Sequence, residues 1–232
     1  MNKERTIILH YHLFKNAGTS VDAILKRNFG DAWVTREFPG EGGNNTALVE
    51  QWIRDTPDAV AYSSHTMMGP IPQVDGVQVI SLMLLRDPIE RIKSAYRFER
   101  TQDADTWGAQ LAKEHDFEGY VRERLARPGD RQCRNFQTHR WASRVPGEGT
   151  ELERASRALE KLTIVGRVEE FDEAMVRLAS HLVNRYSGLN FDTVQANKSA
   201  SSDVSGDNLA TIDALNDVNR SDYFLLNSMN QI

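Results

Sequence analysis

The stretch HYHLFKNAGTS, residues 10–20, decides the fold of this chain. It joins the apolar segment TIILHYH (6–12), which reads as a buried strand, to apolar residues at helical spacing that begin near residue 19 and stop at Gly30. A strand that turns sharply into a helix directs several backbone N–H groups and the positive end of the helix dipole at one place. The stretch therefore predicts a strand–loop–helix unit with an anion-binding loop.

The loop carries the residue types that an anion site needs, but in an unusual order. Lys15 offers a positive charge, Gly18 allows close backbone approach, and Thr19 and Ser20 add hydroxyl donors. The nucleotide-triphosphatase signature G-x-x-x-x-G-K-[ST] places its lysine directly after the second glycine, whereas here the lysine precedes the only glycine of the loop. Taken alone, K-x-x-G-T-S is a weak signal, because many strand-to-helix turns use such residues for turn geometry.

A second motif, LLRDPIERIKSAY (84–96), also joins a strand end to a helix start. Asp87 at the N-cap and Pro88 at the first helical position predict a helix start here. Arg86 at the strand end and Ser94 in the helix could hold a phosphate monoester, or Arg86 could pair with a nearby acid while Ser94 only packs. Two such motifs at consecutive strand ends favour the ligand site, because open α/β sheets bind ligands there.

Strands and helices alternate along the chain, which predicts an α/β fold, specifically a P-loop-like three-layer fold with a central, mainly parallel sheet flanked by helices. The segment QVISLMLL (78–85) is apolar almost throughout, as expected for a strand covered on both faces. No domain boundary interrupts the pattern, so residues 1–232 are predicted to form a single domain. The other predicted elements are strands at 58–64 and 163–166, a short helix capped by Asn45 or Thr46, helices at 116–126, 150–161 and 169–186, and a mobile loop at 195–208.

Composition limits the setting and the partners. The single cysteine, Cys133, excludes an internal disulfide and fits a reducing compartment. The sequence shows neither a secretory signal nor the roughly 20 apolar residues of a membrane-spanning helix, so we expect a cytoplasmic protein without membrane insertion. The net charge of -5 argues against a general nucleic-acid binder. The oligomeric state is left open.

Together the two motifs resemble the sulfotransferases that use 3′-phosphoadenosine 5′-phosphosulfate (PAPS), in particular the carbohydrate branch that includes the heparan and uronyl 2-O-sulfotransferases. The shared patterns are H-x-x-K-x-x-G-T-S, from His12, and L-R-D-P-x-x-R-x-x-S-x-Y, from Leu85. Supporting similarity follows in the expected order at NFQTHRWAS (135–143), IVGRVEEFDEAM (164–175), NKS (197–199) and LNDVNRSDYFLL (215–226). The resemblance implies transfer of a sulfuryl group from PAPS to a hydroxyl of an acceptor, with a carbohydrate as the expected acceptor.

The resemblance also assigns binding roles. The loop from His12 to Ser20 corresponds to the family's 5′-phosphosulfate loop, and Arg86 and Ser94 match its 3′-phosphate-binding pair. Lys198, in the polar segment, is expected to close over the 3′-phosphate. The predicted cosubstrate-binding residues are Lys15, Asn16, Ala17, Gly18, Thr19, Ser20, Arg86, Ser94 and Lys198.

The loop departs from the family pattern at two places. Phe14 stands where proline is usual, and Asn16-Ala17 stands where Thr-Gly is commoner. The spacing from lysine to glycine is kept, so we expect altered loop rigidity with binding retained. The sequence provides no physical account of Phe14.

Two side chains are predicted to be catalytic. Lys15 suits the stabilisation of the leaving phosphate, because an ammonium near the bridging oxygen balances charge that grows during cleavage. The general base is expected to be a histidine, and His65 in YSSHTMMG (62–69) follows a strand end where the family has a G-H segment. His12 is the alternative base, although its position favours shaping of the loop, and His10 is expected to face elsewhere.

The segment from residue 122 to residue 144 contains seven arginines and two acids, which is typical either of a solvated helix face or of a local positive field. Because other residues account for the cosubstrate, we expect the field to attract an acidic acceptor, either an anionic glycan or a small metabolite. The predicted acceptor-binding residues are His12, Arg134, His139 and Arg140.

Two other functions remain open at the level of sequence. A P-loop-type phosphotransferase using ATP and Mg²⁺ would need a G-K-[ST] pairing and a metal-binding acid, and neither is apparent. A non-catalytic nucleotide- or glycan-binding domain would be favoured if His65 were buried away from the loop. No metal site is predicted, because Cys133 stands alone and no pair of histidines has the spacing of a zinc site.

Overall fold

The computed structural model describes residues 5–40, 43–192 and 208–229. Its strands are β1 (Arg5–Tyr11), β2 (Trp33–Thr35), β3 (Ala61–Ser64), β4 (Val77–Leu85) and β5 (Ile164–Arg167). They form one parallel sheet in the order β2-β3-β1-β4-β5. Helices pack on both faces of this sheet, so the predicted three-layer α/β fold is confirmed.

Ten α-helices occur in the described residues. They are α1 (Gly18–Phe29), α2 (Thr46–Asp55), α3 (Pro88–Thr101), α4 (Trp107–Glu114), α5 (Phe117–Ala126), α6 (Phe136–Ala142), α7 (Glu151–Lys161), α8 (Phe171–Leu182), α9 (Leu209–Val218) and α10 (Arg220–Ser228). None of these described helices has the length and apolar character needed to cross a bilayer.

Alternation along β1 divides its side chains between two cores. Ile7 and Leu9 face the layer formed by α2, α6, α7 and α10, whereas Ile8 faces α1 and α8. All three side chains are fully buried, and burial of a side chain of this size stabilises a fold by about 1.5–3 kcal/mol. A third apolar cluster joins α3, α4, α5 and α9.

A local capping signal predicts the start of α3 correctly. The Asp87 side chain accepts a hydrogen bond from the Glu90 N–H at 3.0 Å, with Pro88 at the first position of α3. At the start of α7, Thr150 and Glu153 form a reciprocal capping box. The sequence does not predict α4, α6, α9, α10 or β2, and it extends α8 beyond its observed ends. The predicted loop at 195–208 lies almost wholly outside the described residues, as does Lys198.

The strand order places three of the predicted site segments at one edge of the sheet. β3, β1 and β4 are neighbours and run in parallel, so their carboxyl ends lie side by side. His65 follows β3, the loop of residues 12–17 follows β1, and Arg86 follows β4. This edge is where open α/β sheets bind ligands.

Candidate functional site

The loop after β1 leaves backbone donors free at the start of α1. Lys15 and Ala17 both have left-handed backbone conformations, with φ values of 64° and 58°, and each such residue costs about 1–2 kcal/mol. Among the described residues, the N–H groups of Ala17, Gly18 and Thr19 have no hydrogen-bond acceptor. A strained turn with converging free N–H groups at a helix start is typical of an anion site.

Asn16 holds the loop in place and does not face a ligand. The residue is buried, and its Nδ2 donates to the Leu84 carbonyl at 2.8 Å and to Gln137 Oε1 at 2.7 Å. Its backbone N–H donates to the Leu13 carbonyl at 3.2 Å. The prediction that Asn16 binds the cosubstrate therefore needs correction, because both of its nitrogen donors are already used inside the protein.

Gln137 connects the two predicted phosphate-binding segments. Its Oε1 accepts from the Arg86 N–H at 2.9 Å as well as from Asn16, while its Nε2 donates to the Arg86 carbonyl at 2.8 Å. Asp222 lies beneath it and accepts from the Thr138 N–H and hydroxyl, both at 2.7 Å. Burial raises the pKa of this carboxyl, against the hydrogen bonds from Thr138 that lower it. The sequence singles out the segments 135–143 and 215–226 only by resemblance. In the structure they hold the loop after β1 and the residue after β4 in place through Gln137.

Lys15 lies against the aromatic surface of α3. Its Nζ is 4.5 Å from the centre of the Phe98 ring, and the Phe14 ring meets Phe98 edge-on with centroids 5.6 Å apart. This contact supplies the physical account of Phe14 that the sequence lacks, since Phe14 anchors the loop to α3. Burial, followed by the charges of Arg86 and Arg97, lowers the pKa of Lys15.

Arg86 lies beside this loop, and Ser94 lies eight residues further along the chain, in α3. Arg86 donates through one guanidinium nitrogen to the Lys15 carbonyl at 3.2 Å. Burial lowers the pKa of Arg86, and the nearby carboxylates of Glu90 and Glu169 partly oppose that effect. Ser94 is buried, and its hydroxyl makes no hydrogen bond within the described parts of the chain. The Ser94 hydroxyl therefore remains available as a donor, and Arg86 keeps guanidinium N–H groups without an acceptor in the described residues.

The expectation that His10 faces away from His12 is wrong. Residues two apart on a strand share a face, and both imidazoles bond through Nδ1 to Asp22 on α1, at 2.8 Å for His10 and 2.9 Å for His12. The Ser63 hydroxyl also donates to this carboxylate, at 2.6 Å. Burial alone would raise the pKa of Asp22, but the hydrogen bonds from the two histidines outweigh it and hold the pKa far below its usual range.

Histidine spacing along the sequence does not by itself exclude a metal site, because the fold brings an acid on α1 to the two histidines. His10, His12 and Asp22 each bring a potential ligand atom to within 4.8 Å of the others. In the observed arrangement, however, the nitrogen-to-oxygen distances of 2.8 and 2.9 Å are those of hydrogen bonds, and the carboxylate satisfies both Nδ1 atoms. The arrangement fixes the tautomer of each ring and leaves Nε2 on the opposite side.

His12 forms the wall of the loop, and the His65 ring lies against it at an interplanar angle of 34°. A Cβ atom added at Gly18 would lie 2.0 Å from Cδ2 of the His12 ring, so only glycine fits there. The His12 and His65 ring centroids are 3.8 Å apart. His65 is half exposed, and its Nδ1 bonds to Glu37 Oε1 at 2.7 Å. His65 thus lies at the mouth of the loop with Nε2 directed away from Glu37, and the sequence analysis misses Glu37 and Asp22.

The predicted acceptor-binding residues are largely engaged in internal contacts. Arg140 is mostly buried and donates to the His65 carbonyl at 2.5 Å and to the Met67 carbonyl at 3.2 Å. Arg134 donates to backbone carbonyls near the end of α5, the closest at 2.9 Å, and His139 Nδ1 bonds to Glu151 at 3.0 Å. Arg140 therefore positions His65, which neither the charge pattern nor the resemblance reveals.

The arginine-rich segment as a whole does not form one open positive field. Arg124 is buried between Glu99 and Asp130, with hydrogen bonds of 2.7 Å to each. Arg144 is also buried, donates to the Met67 carbonyl at 2.7 Å and lies over a tyrosine ring. Arg131 pairs with Glu151 at 3.1 Å. These side chains stabilise the fold, so the charge run is not by itself a reason to expect an acidic acceptor.

Fold and site together define a three-layer α/β protein. At the carboxyl edge of its sheet, a loop whose backbone N–H groups lack acceptors among the described residues lies beside a pair of histidines. No protein-family profile matches the chain. It is 38% identical over 208 residues to an uncharacterized protein of Archaeoglobus fulgidus, and the alignment covers 86% of this chain and 82% of that protein. The chain belongs to the same family as this archaeal protein.

Proposed function

We propose that the protein is a sulfotransferase that moves a sulfuryl group from PAPS to a hydroxyl of an acceptor, and that the acceptor is a carbohydrate. The observation that carries this proposal is the meeting of three groups at one sheet edge. These are the loop with free N–H groups and Lys15, the Arg86 guanidinium beside that loop, and the neighbouring rings of His12 and His65.

The residues present fit a cosubstrate with two separate anionic groups. The free N–H groups at Ala17, Gly18 and Thr19 suit one group beside Lys15. Arg86 and Ser94 suit a second group, because a guanidinium and a hydroxyl bind phosphate by charge-assisted hydrogen bonds. Two such subsites next to each other support a nucleotide that carries both a 5′-phosphosulfate and a 3′-phosphate.

The chemistry assigned to these residues is an in-line transfer. Lys15 stabilises the charge that develops on the leaving phosphate as its bond to sulfur breaks. His65 accepts the proton of the acceptor hydroxyl at Nε2 while the new oxygen–sulfur bond forms, and Glu37 holds the ring by its Nδ1–H at 2.7 Å. The products are a sulfate ester and adenosine 3′,5′-bisphosphate.

The exposed position of His65 beside the loop supports a catalytic protein over a purely binding domain, which would not need a base there. The ATP–Mg²⁺ alternative has no comparable support, since the loop lacks the G-K-[ST] pairing.

Thermal-shift measurements with adenosine 3′,5′-bisphosphate and with ATP–Mg²⁺ test the choice of nucleotide. A ligand at 100 times its Kd stabilises the folded protein by about 2.7 kcal/mol, so the bisphosphate should raise the melting temperature clearly. A larger shift with ATP–Mg²⁺ would refute the proposal.

Transfer of labelled sulfate from PAPS to a panel of carbohydrate and small-molecule hydroxyls tests the reaction itself. Lys15→Ala and His65→Ala should each lower kcat by about 100-fold or more. Lys113→Ala and His181→Ala are matched controls on exposed helix positions remote from the sheet edge. Full activity of Lys15→Ala or His65→Ala would remove that residue from the mechanism.

A further inference from the structure

We propose that Arg97, on α3, is a third cationic ligand to the anion bound between the β1 loop and Arg86. Arg97 belongs to neither of the sequence motifs that predict the site. The inference rests on the proposed function only in taking this edge of the sheet as the anion site. The chemical class of ligand is a nucleotide or other small molecule with more than one phosphate- or sulfate-type group.

The position of Arg97 on α3 places it beside the loop. It follows Ser94 by three residues, so the two side chains lie on neighbouring positions of one helix face. The next residue, Phe98, contacts both the Lys15 ammonium and the Phe14 ring. This turn of α3 is therefore the surface against which the loop rests.

The charges of this region support the same placement. Arg97 lowers the pKa of Lys15, after the larger effects of burial and Arg86. It also lowers the pKa of Arg86, where burial is again the largest cause. The carboxylates of Glu90 and Glu169 act in the opposite direction on Arg86. Lys15, Arg86 and Arg97 are thus close enough for their charges to repel one another.

Arg97 itself has no counter-ion within the described ranges. Its side chain is partly buried, yet its guanidinium has neither a hydrogen-bond acceptor nor an acidic partner among the described residues. Arg100, one turn further along α3, differs because it donates to the His115 carbonyl at 3.2 Å. Arg124 has the most partners of these arginines, because two carboxylates bond to its guanidinium. A partly buried guanidinium without an acceptor, beside two other cations, is available for a bidentate contact to an anion.

This arrangement predicts opposite effects on binding and on stability. Removal of Arg97 relieves repulsion in the unliganded protein, so its melting temperature should stay unchanged or rise. The same change removes a charge-assisted contact in the complex, so anion affinity should fall by about 10- to 100-fold. A residue with a merely structural role would lower the melting temperature instead.

Calorimetric titration of the full chain with adenosine 3′,5′-bisphosphate, pyrophosphate and ATP–Mg²⁺ tests the inference. The variants are Arg97→Gln, Arg97→Lys and, as a matched control, Arg122→Gln, which alters an exposed arginine on α5. We expect weaker binding only in the Arg97 variants, a partial recovery in Arg97→Lys, and a smaller dependence of the affinity on salt in Arg97→Gln.

The outcomes separate this inference from the proposed function. Equal bisphosphate affinity in Arg97→Gln and the unmodified protein would overturn the role of Arg97 and leave the sulfotransferase proposal standing. Weaker pyrophosphate binding in Arg97→Gln, together with a preference of the unmodified protein for ATP–Mg²⁺, would support Arg97 and refute the sulfotransferase. Failure of the unmodified protein to bind any of the three anions would overturn both.

Discussion

The ammonium of Lys15 lies 4.5 Å from the centre of the Phe98 ring, so the cation of the loop rests on the face of an aromatic side chain from α3. The Phe14 ring meets the same Phe98 ring edge-on, with centroids 5.6 Å apart. A single side chain on α3 therefore sets the position of two consecutive loop residues. Because Phe98 is 42% exposed, its loss would disturb the loop more than the core.

Substitution of Phe98 by leucine should weaken this arrangement while keeping an apolar contact for Phe14. We expect a loss of about 0.5–1 kcal/mol in the free energy of unfolding, which is the usual size of an exposed cation–π contact. Urea unfolding of Phe98→Leu measures the change. Phe224→Leu is the matched control, since that ring is 54% exposed on α10. Equal losses in both variants would speak against a specific contact with Lys15.

Gly18→Ala should displace His12 from the wall of the loop. The added Cβ would lie 2.0 Å from the ring, and overpacking of this kind costs about 1–3 kcal/mol. The affinity for adenosine 3′,5′-bisphosphate should fall together with the stability, because the shifted His12 ring also disturbs the start of α1. Gly129→Ala is the control, as no atom lies within 4 Å of a Cβ at that position.

A double variant makes the Gly18 prediction specific. In His12→Ala the ring is absent, so adding Gly18→Ala on that background should cost much less than adding it to the unmodified protein. The two substitutions should therefore be non-additive by about 1 kcal/mol or more. Additive losses would show that the clash is not with His12.

Asp22→Asn should destabilise the protein by about 1.5–3 kcal/mol at neutral pH. The amide is neutral and has one accepting oxygen, whereas the charged carboxylate accepts hydrogen bonds from both imidazoles. Chemical unfolding measures the loss. Asp58→Asn, at an exposed position before β3, should change the stability by less than about 0.5 kcal/mol. A loss as small in Asp22→Asn would exclude a stabilising role for this carboxylate.

The contribution of Asp22 to the free energy of unfolding should also decrease at acid pH. Its pKa in the folded protein lies well below the usual range, against about 3.9 in an unfolded chain. The ionised carboxylate therefore stabilises the fold above about pH 4, and the stabilisation is lost as the pH falls towards the folded-state pKa. The difference in unfolding free energy between Asp22→Asn and the unmodified protein should shrink from pH 5 to pH 3. A constant difference would contradict this linkage.

Gln137→Leu should loosen both halves of the site at once. The change leaves the partly buried N–H and carbonyl of Arg86 without their partners on Gln137, and it takes away one acceptor of the Asn16 side-chain amide. We expect a loss of about 2–4 kcal/mol in unfolding free energy and weaker bisphosphate binding. Gln51→Leu on the surface of α2 should be nearly neutral in both measurements. Retained stability in Gln137→Leu would show that the two segments are held by other contacts.

Elements with a strong local signal were predictable from the sequence. QVISLMLL and the RDP helix start carry their structure in apolar runs and capping residues, which act over a few positions. Short elements such as β2 and α6 lack that signal. Their three and seven residues are held by packing against distant parts of the chain.

Parts of the site were predictable for the same reason, and other parts were not. The placement of Lys15, Arg86 and His65 at one edge follows from strand ends in a parallel sheet. The contact between His65 and Glu37 does not, because 28 residues separate the partners. The shared face of His10 and His12 has a local cause, because side chains two residues apart on an extended segment point the same way.

The sequence by itself determined the strand–loop–helix unit at HYHLFKNAGTS, because strand and helix periodicity and glycine placement are local properties. The tertiary structure alone decided which donors remain free. Asn16 and most arginines between 122 and 144 bond to internal partners, whereas the guanidinium of Arg97 has no acceptor among the described residues. Whether a polar group serves the fold or a ligand depends on neighbours that are distant in the chain, and burial makes an unpartnered charge costly enough for that difference to matter.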